Sequence, residues 1–193
     1  MDIRQRLFAY RSYAPVPFLA VMVIFAHPAP LTLVIGGGIV CAGEFLRLWG
    51  VAIAGSETRT TGPVGGTFLI TTGPFSYVRN PLYCGNMLLY VGAGIMSNAL
   101  MPWLPIAAAA WFAFQYSMIV SLEEEYLQRT FQDEFTRYRA AVPRFVPTFR
   151  RYGGVPAGQP GLDWKRGLIS ERRTLQAIVL LAAGLAIISW ARS

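Results

Sequence analysis

The residues best equipped for chemistry gather in two stretches, each bordering an apolar run. Gly73 to Gly85 reads GPFSYVRNPLYCG and sets Tyr77, Arg79, Asn80 and Tyr83 at the start of one run. Glu123 to Pro147 follows another run. It opens on three adjacent carboxylates, Glu123, Glu124 and Glu125, and closes on Val142-Pro143-Arg144 and Pro147. Polar groups at the lip of a membrane helix need partners, because hydrocarbon offers them none. Neighbouring carboxylates repel one another and need ligands or cations. Carboxylates suit an ammonium or the hydroxyls of a ribose. Arginines such as Arg79 and Arg144 suit a carboxylate or phosphate through paired hydrogen bonds. The rings of Tyr77, Tyr83 and Tyr138 suit an adenine or a sulfonium. Spacing alone does not name the ligand.

The elements that must position these groups are membrane helices. The chain has 193 residues, 54% hydrophobic and 14% charged, against roughly a quarter charged in soluble domains. Its mean hydropathy is +0.41. We expect an all-α membrane protein of one domain, 1–193, with five spans near 15–26, 31–54, 82–100, 102–122 and 174–190. Polar segments 55–81 and 123–173 then share one face, where a cofactor pocket would form. Leu127, Phe131, Phe135, Tyr138 and Val142 recur at helical steps, which predicts a helix ending before Pro143.

The net charge of +7 does not imply nucleic acid, because the basic residues lie beside apolar spans and suit anionic lipids at a cytoplasmic face. Arg4, Arg6 and Arg11 precede the first span, Arg59 and Arg79 lie between the second and third, and ten Lys or Arg run from Arg129 to Arg173. The two short turns carry none. This places the N-terminus in the cytoplasm and the C-terminus outside, with Arg192 on the opposite side. Cys41, Cys84 and His27 are too scattered to build a metal site. Glu44 lies within the second span, where a charge is costly, and Arg47 can pair with it three residues on. The 162–173 segment, with Trp164 beside basic residues, reads as a short interfacial helix.

GPFSYVRNPLYCG resembles the signature of isoprenylcysteine carboxyl methyltransferases and phospholipid N-methyltransferases, in which glycine-proline is followed by arginine-histidine-proline-x-tyrosine-x-glycine. The second stretch resembles the same family at Glu123-Glu124, Leu127, Phe131-Gln132, Phe135, Tyr138, Val142-Pro143-Arg144 and Pro147. Gly92-Ala93-Gly94 is similar to the glycine-x-glycine element of the phospholipid enzymes, although close helix packing explains such a pair equally well. Asn80 stands where the pattern has histidine, Gln132 where it has glycine, and Phe135 where it has tyrosine.

The resemblance implies an enzyme that uses S-adenosylmethionine to methylate a lipid or lipidated acceptor from the bilayer, an isoprenylcysteine-like carboxylate or a phospholipid amine. It implies cofactor contacts from Tyr77, Asn80, Tyr83, Gly92, Gly94, Glu123, Glu124, Tyr138, Pro143 and Pro147. Arg79 and Arg144 would orient the acceptor. Without a histidine base, a carboxylate acceptor is favoured slightly, since it is already a nucleophile near neutral pH. The rival class is a membrane sterol reductase using NADPH, which shares a similar arginine and asparagine-tyrosine segment. The acidic pair with Leu127 and the Val142-Pro143-Arg144 ending favour the methyltransferase.

Overall fold

The computed structural model describes residues 2–55, 68–156 and 158–191. Arg59 and Arg192, used above for orientation, lie outside the described residues. Among the described residues the chain is helical: α1 (Ile3–Ala9), α2 (Val16–Ile24), α3 (Pro30–Ala54), α4 (Pro81–Ser97), α5 (Trp103–Ala141) and α6 (Trp164–Ala191), with a 3-10 turn at Gly73–Ser76.

Three of these, α3, α5 and α6, are long and apolar enough to cross a membrane. The first expected span is a helix of only 9 residues, about 14 Å long at 1.5 Å per residue and too short to cross alone. The third is α4, of 17 residues, which lies antiparallel along α3. The fourth span continues into the polar stretch without a boundary at Glu123 to Glu125, and α5, 39 residues in all, is instead kinked at the non-helical Gln132. The 162–173 segment is likewise no separate interfacial helix, because α6 already begins at Trp164.

The α3–α4 contact is set by glycines. A Cβ on Gly36 would lie 2.5 Å from the Gly92 carbonyl oxygen, and one on Gly43 would lie 2.8 Å from the Gly85 carbonyl oxygen. Two glycines seven residues apart on each helix therefore let the backbones touch, and membrane helices pair well through such close approach.

The two turns without basic residues meet at one end of the bundle. His27 N donates to Ser97 O (2.8 Å), and Asn98 Nδ2 donates to His27 O (3.0 Å). Basic segments collect at the other end, where Arg4 pairs with Glu125 and Asp163 N donates to Ala52 O (2.9 Å).

Candidate active site

The two polar stretches are joined to each other through the backbone. Arg79 N donates to Pro143 O (2.9 Å), Thr148 N to Tyr77 O (2.9 Å) and Tyr152 N to Ser76 O (3.0 Å). The predicted stripe of α5 is buried beneath them, with Leu69 packed against Phe135, Tyr138 and Val142. The Tyr138 hydroxyl donates to Phe75 O (2.7 Å). Asn80 precedes α4 with Pro81 at its first turn, where proline's missing N–H costs nothing. Asn80 Nδ2 donates to Arg144 O (3.1 Å).

Charge within this wall centres on Glu124. Arg79 Nη2 lies 2.8 Å from Glu124 Oε1, and Arg144 Nη2 lies 2.5 Å from Glu124 Oε2. Arg79 Nη1 also donates to the carbonyls of Arg139 (2.9 Å) and Val142 (2.5 Å). Burial works to raise the Glu124 carboxyl, but the two guanidiniums outweigh it and hold the group below its usual range. Glu123 differs. It is half-buried and accepts the Tyr83 hydroxyl at 2.6 Å. Burial pushes it up to about 7, against the pull of that hydrogen bond and of the Arg11 charge. One glutamate is thus committed to two arginines, while its neighbour faces the cavity with a proton within easy reach at neutral pH.

That cavity measures about 1230 Å³, above the usual range for a single small ligand. It follows one face of α4, past Asn80, Tyr83, Asn86, Tyr90 and Ala93. Its polar end also takes in Arg79, Glu123, Glu124, Tyr138 and Arg11. Its apolar arm runs between α2 (Leu19, Val23) and α6 (Ile178, Leu181). Tyr77, Gly92, Gly94, Pro143, Arg144 and Pro147 are not among its lining residues. Gly92 faces the α3 backbone, Gly94 faces Pro105, and Tyr77 lies against Trp49 at 6.4 Å between ring centroids. Arg144 faces a smaller hollow on the other side of Glu124.

Sequence reasoning missed Arg11, Asn86 and Glu171 among the lining groups. Asn86 had a signal, as a lone amide inside an apolar run. Glu171 had only its sign, an acid just before Arg172 and Arg173.

A polar chamber at the mouth of a helical bundle, opening inward to an apolar arm, defines a membrane protein with one cavity whose walls pass from polar to apolar. Residues 31–134 match the phospholipid methyltransferase family pattern, and the chain belongs to that family. It is 31% identical over 147 residues to the cobalt-zinc-cadmium resistance protein CzcN of Cupriavidus metallidurans, covering 72% of this chain and 63% of that protein. It is 38% identical over 81 residues to the nickel-cobalt-cadmium resistance protein NccN of Alcaligenes xylosoxydans xylosoxydans, covering 42% of this chain and 37% of that protein. To the protein-S-isoprenylcysteine O-methyltransferase of Schizosaccharomyces pombe it is 29% identical over 113 residues, covering 57% of this chain and 47% of that protein. The chain therefore spans under two thirds of the length of each. No solved structure matches it.

Proposed function

We propose that the protein is an S-adenosylmethionine-dependent methyltransferase acting on a lipid or lipidated acceptor, with its polar mouth in the cytoplasm, its N-terminus on that side and its C-terminus outside. The observation that carries this reading is the joining of the two polar stretches by backbone hydrogen bonds around one cavity that turns from polar to apolar along α4. The isoprenylcysteine methyltransferase relative and the family pattern support the activity.

The donor set suits the cofactor. Glu123 offers carboxylate oxygen to an ammonium or to ribose hydroxyls, Asn80 an amide, and Tyr83 a ring face. S-adenosylmethionine would supply a methyl group already activated by its sulfonium. The chain's task is then alignment and exclusion of water. The Tyr83 hydroxyl fixes the orientation of Glu123, and the Tyr138 hydroxyl ties α5 to the turn at Phe75. Pro143 and Pro147 shape the outer wall. Arg79 and Arg144 act as positioning residues in this scheme, since Glu124 and backbone carbonyls already hold their guanidiniums. The apolar arm takes the acceptor's tail.

Full-length protein in nanodiscs should bind S-adenosylhomocysteine and transfer radiolabelled methyl into a lipid extract. Glu123→Gln should weaken S-adenosylhomocysteine about tenfold, as expected for a lost charged hydrogen bond. Saturable NADPH binding in place of S-adenosylhomocysteine would overturn the reading in favour of a reductase.

A further inference from the structure

Deeper in the bundle, a second charged group faces the cavity. Asn86 lies six residues beyond Asn80 on α4, about 9 Å further in at the helical rise. Arg47 of α3 donates Nη1 to Asn86 Oδ1 and Nη2 to Glu171 Oε2 of α6 at 2.5 Å. Its Nε lies 3.6 Å from Glu44 Oε2. Arg47, Asn86 and Glu171 line the cavity where its polar end meets the apolar arm. Glu44 stands behind them and is only 6% exposed. Both of its carboxylate oxygens lack a hydrogen-bond partner among the described residues.

Two carboxylates thus share one guanidinium, and both terminal nitrogens of that guanidinium are already engaged. A buried carboxylate without donors is costly. It asks for a proton or a positive group from outside the cluster. An acceptor whose tail fills the apolar arm would place its head here. A carboxylate head would meet surplus negative charge and an arginine with its terminal nitrogens occupied. A head carrying an ammonium or hydroxyl could donate to Glu171, and an ammonium would also offset the charge of Glu44.

We propose that Glu171, with Arg47 and Asn86 and backed by Glu44, forms the subsite for the acceptor's head group, and that it selects heads that donate hydrogen bonds over carboxylates. This rests on the methyltransferase reading for the word acceptor. It reverses the slight preference for a carboxylate drawn from the missing histidine. Glu171 lies outside residues 31–134, the part matched by the family pattern, so this wall of the cavity is supplied by α6.

The test is direct binding to the full chain in nanodiscs. The probes are dioctanoyl lipids with ethanolamine, glycerol or choline heads, and N-acetyl-S-farnesylcysteine as the carboxylate. The ethanolamine or glycerol lipid should bind about tenfold tighter than the choline lipid and the carboxylate, the size of one charge-assisted hydrogen bond. Whichever of the two is tighter identifies the donor as ammonium or hydroxyl. Glu171→Gln and Glu44→Gln should each erase most of that preference while leaving S-adenosylhomocysteine affinity in place, which also reports folding. Farnesylcysteine as the tightest probe, equal binding of all four, or a preference that survives both substitutions overturns the proposal. A wild-type protein that binds no S-adenosylhomocysteine removes the methyltransferase reading instead, and the head-group preference is then scored alone.

Discussion

Gln132 adopts φ 39° and ψ −111° inside α5, nine residues before its end, a backbone region that side chains with a Cβ avoid. The family signature has glycine at this position, and the backbone supplies the reason. The bend is held by Gln128 Nε2 donating to Gln132 O (3.2 Å) and by Thr136 Oγ1 donating to the same oxygen (3.0 Å), neither of which uses the Gln132 side chain. Gln132→Gly should therefore stabilise the protein by about 1 kcal/mol, as relief of strain exceeds glycine's entropic cost. A lower unfolding temperature in detergent would show that the side chain contributes more than the strain it causes. Glu123 and Glu124 contribute to the pH dependence with opposite signs. An unfolded glutamate titrates near 4.5, and folded Glu123 near 7. Between those values the folded chain holds the proton more tightly, so stability falls as pH rises through that window and levels off above it. Glu124 is shifted downward, so its contribution is present above 4.5 and is lost as pH falls through its depressed folded value. Glu123→Gln should reduce the slope between 4.5 and 7 and leave the acid limb intact. In the wild type, S-adenosylhomocysteine affinity should rise with pH through about 7, as the carboxylate becomes an acceptor. Affinity independent of pH in the wild type would remove Glu123 from the proposed cofactor site.

Pairing of α3 with α4 depends on which glycines face the partner helix. Gly43 meets the α4 backbone, whereas a Cβ at Gly38 would have nothing within 4 Å. Gly43→Val should cost about 3 kcal/mol or prevent folding, as backbone against side chain leaves no room to relax. Gly38→Ala should be neutral within about 0.5 kcal/mol, or stabilising. Equal losses of unfolding temperature from both would contradict the packing. The sequence carried the existence of α3, the stripe of α5 and its end at Ala141, because each is a local pattern of period or of proline. It did not carry the contact partners of Gly92 and Gly94, since one small-residue pair serves helix packing and cofactor binding alike. Nor did it carry the continuity of α5, where Glu123 to Glu125 read as a boundary although helix propensity runs straight through them. Arg79 and Arg144 stood out in the sequence as arginines of the two polar stretches but not as the two arms of a clamp on Glu124, because that geometry requires segments 45 and 20 residues apart to meet. Glu171 and Arg47 are 124 residues apart, beyond the reach of any periodicity.

Across the whole molecule, the basic segments and the polar mouth occupy one end of the bundle, and the turns around His27 and Asn98 occupy the other. The cavity runs internally along α4 from the polar mouth into the apolar arm. α5 links these regions mechanically. Its first piece, up to Phe131, carries Tyr116 inside the bundle and Glu123 at the lip; beyond the kink at Gln132 the second piece carries Tyr138 in the outer wall and turns back, so that Val142 O and Glu124 Oε1 share the Arg79 guanidinium. Within the first piece, distance from the bundle is also angular phase. One residue inserted between Glu125 and Phe131 turns everything beyond it by about 100°. That would swing Tyr138 away from Phe75 and Arg144 away from Glu124, and S-adenosylhomocysteine binding should vanish while the bundle stays folded. The same insertion beside Gln132, where the helical ladder is already broken, has a place to be absorbed and should leave binding within a few-fold of the wild type. The irregular residue is then the one point along α5 where the length of the helix and the direction of the outer wall can vary independently.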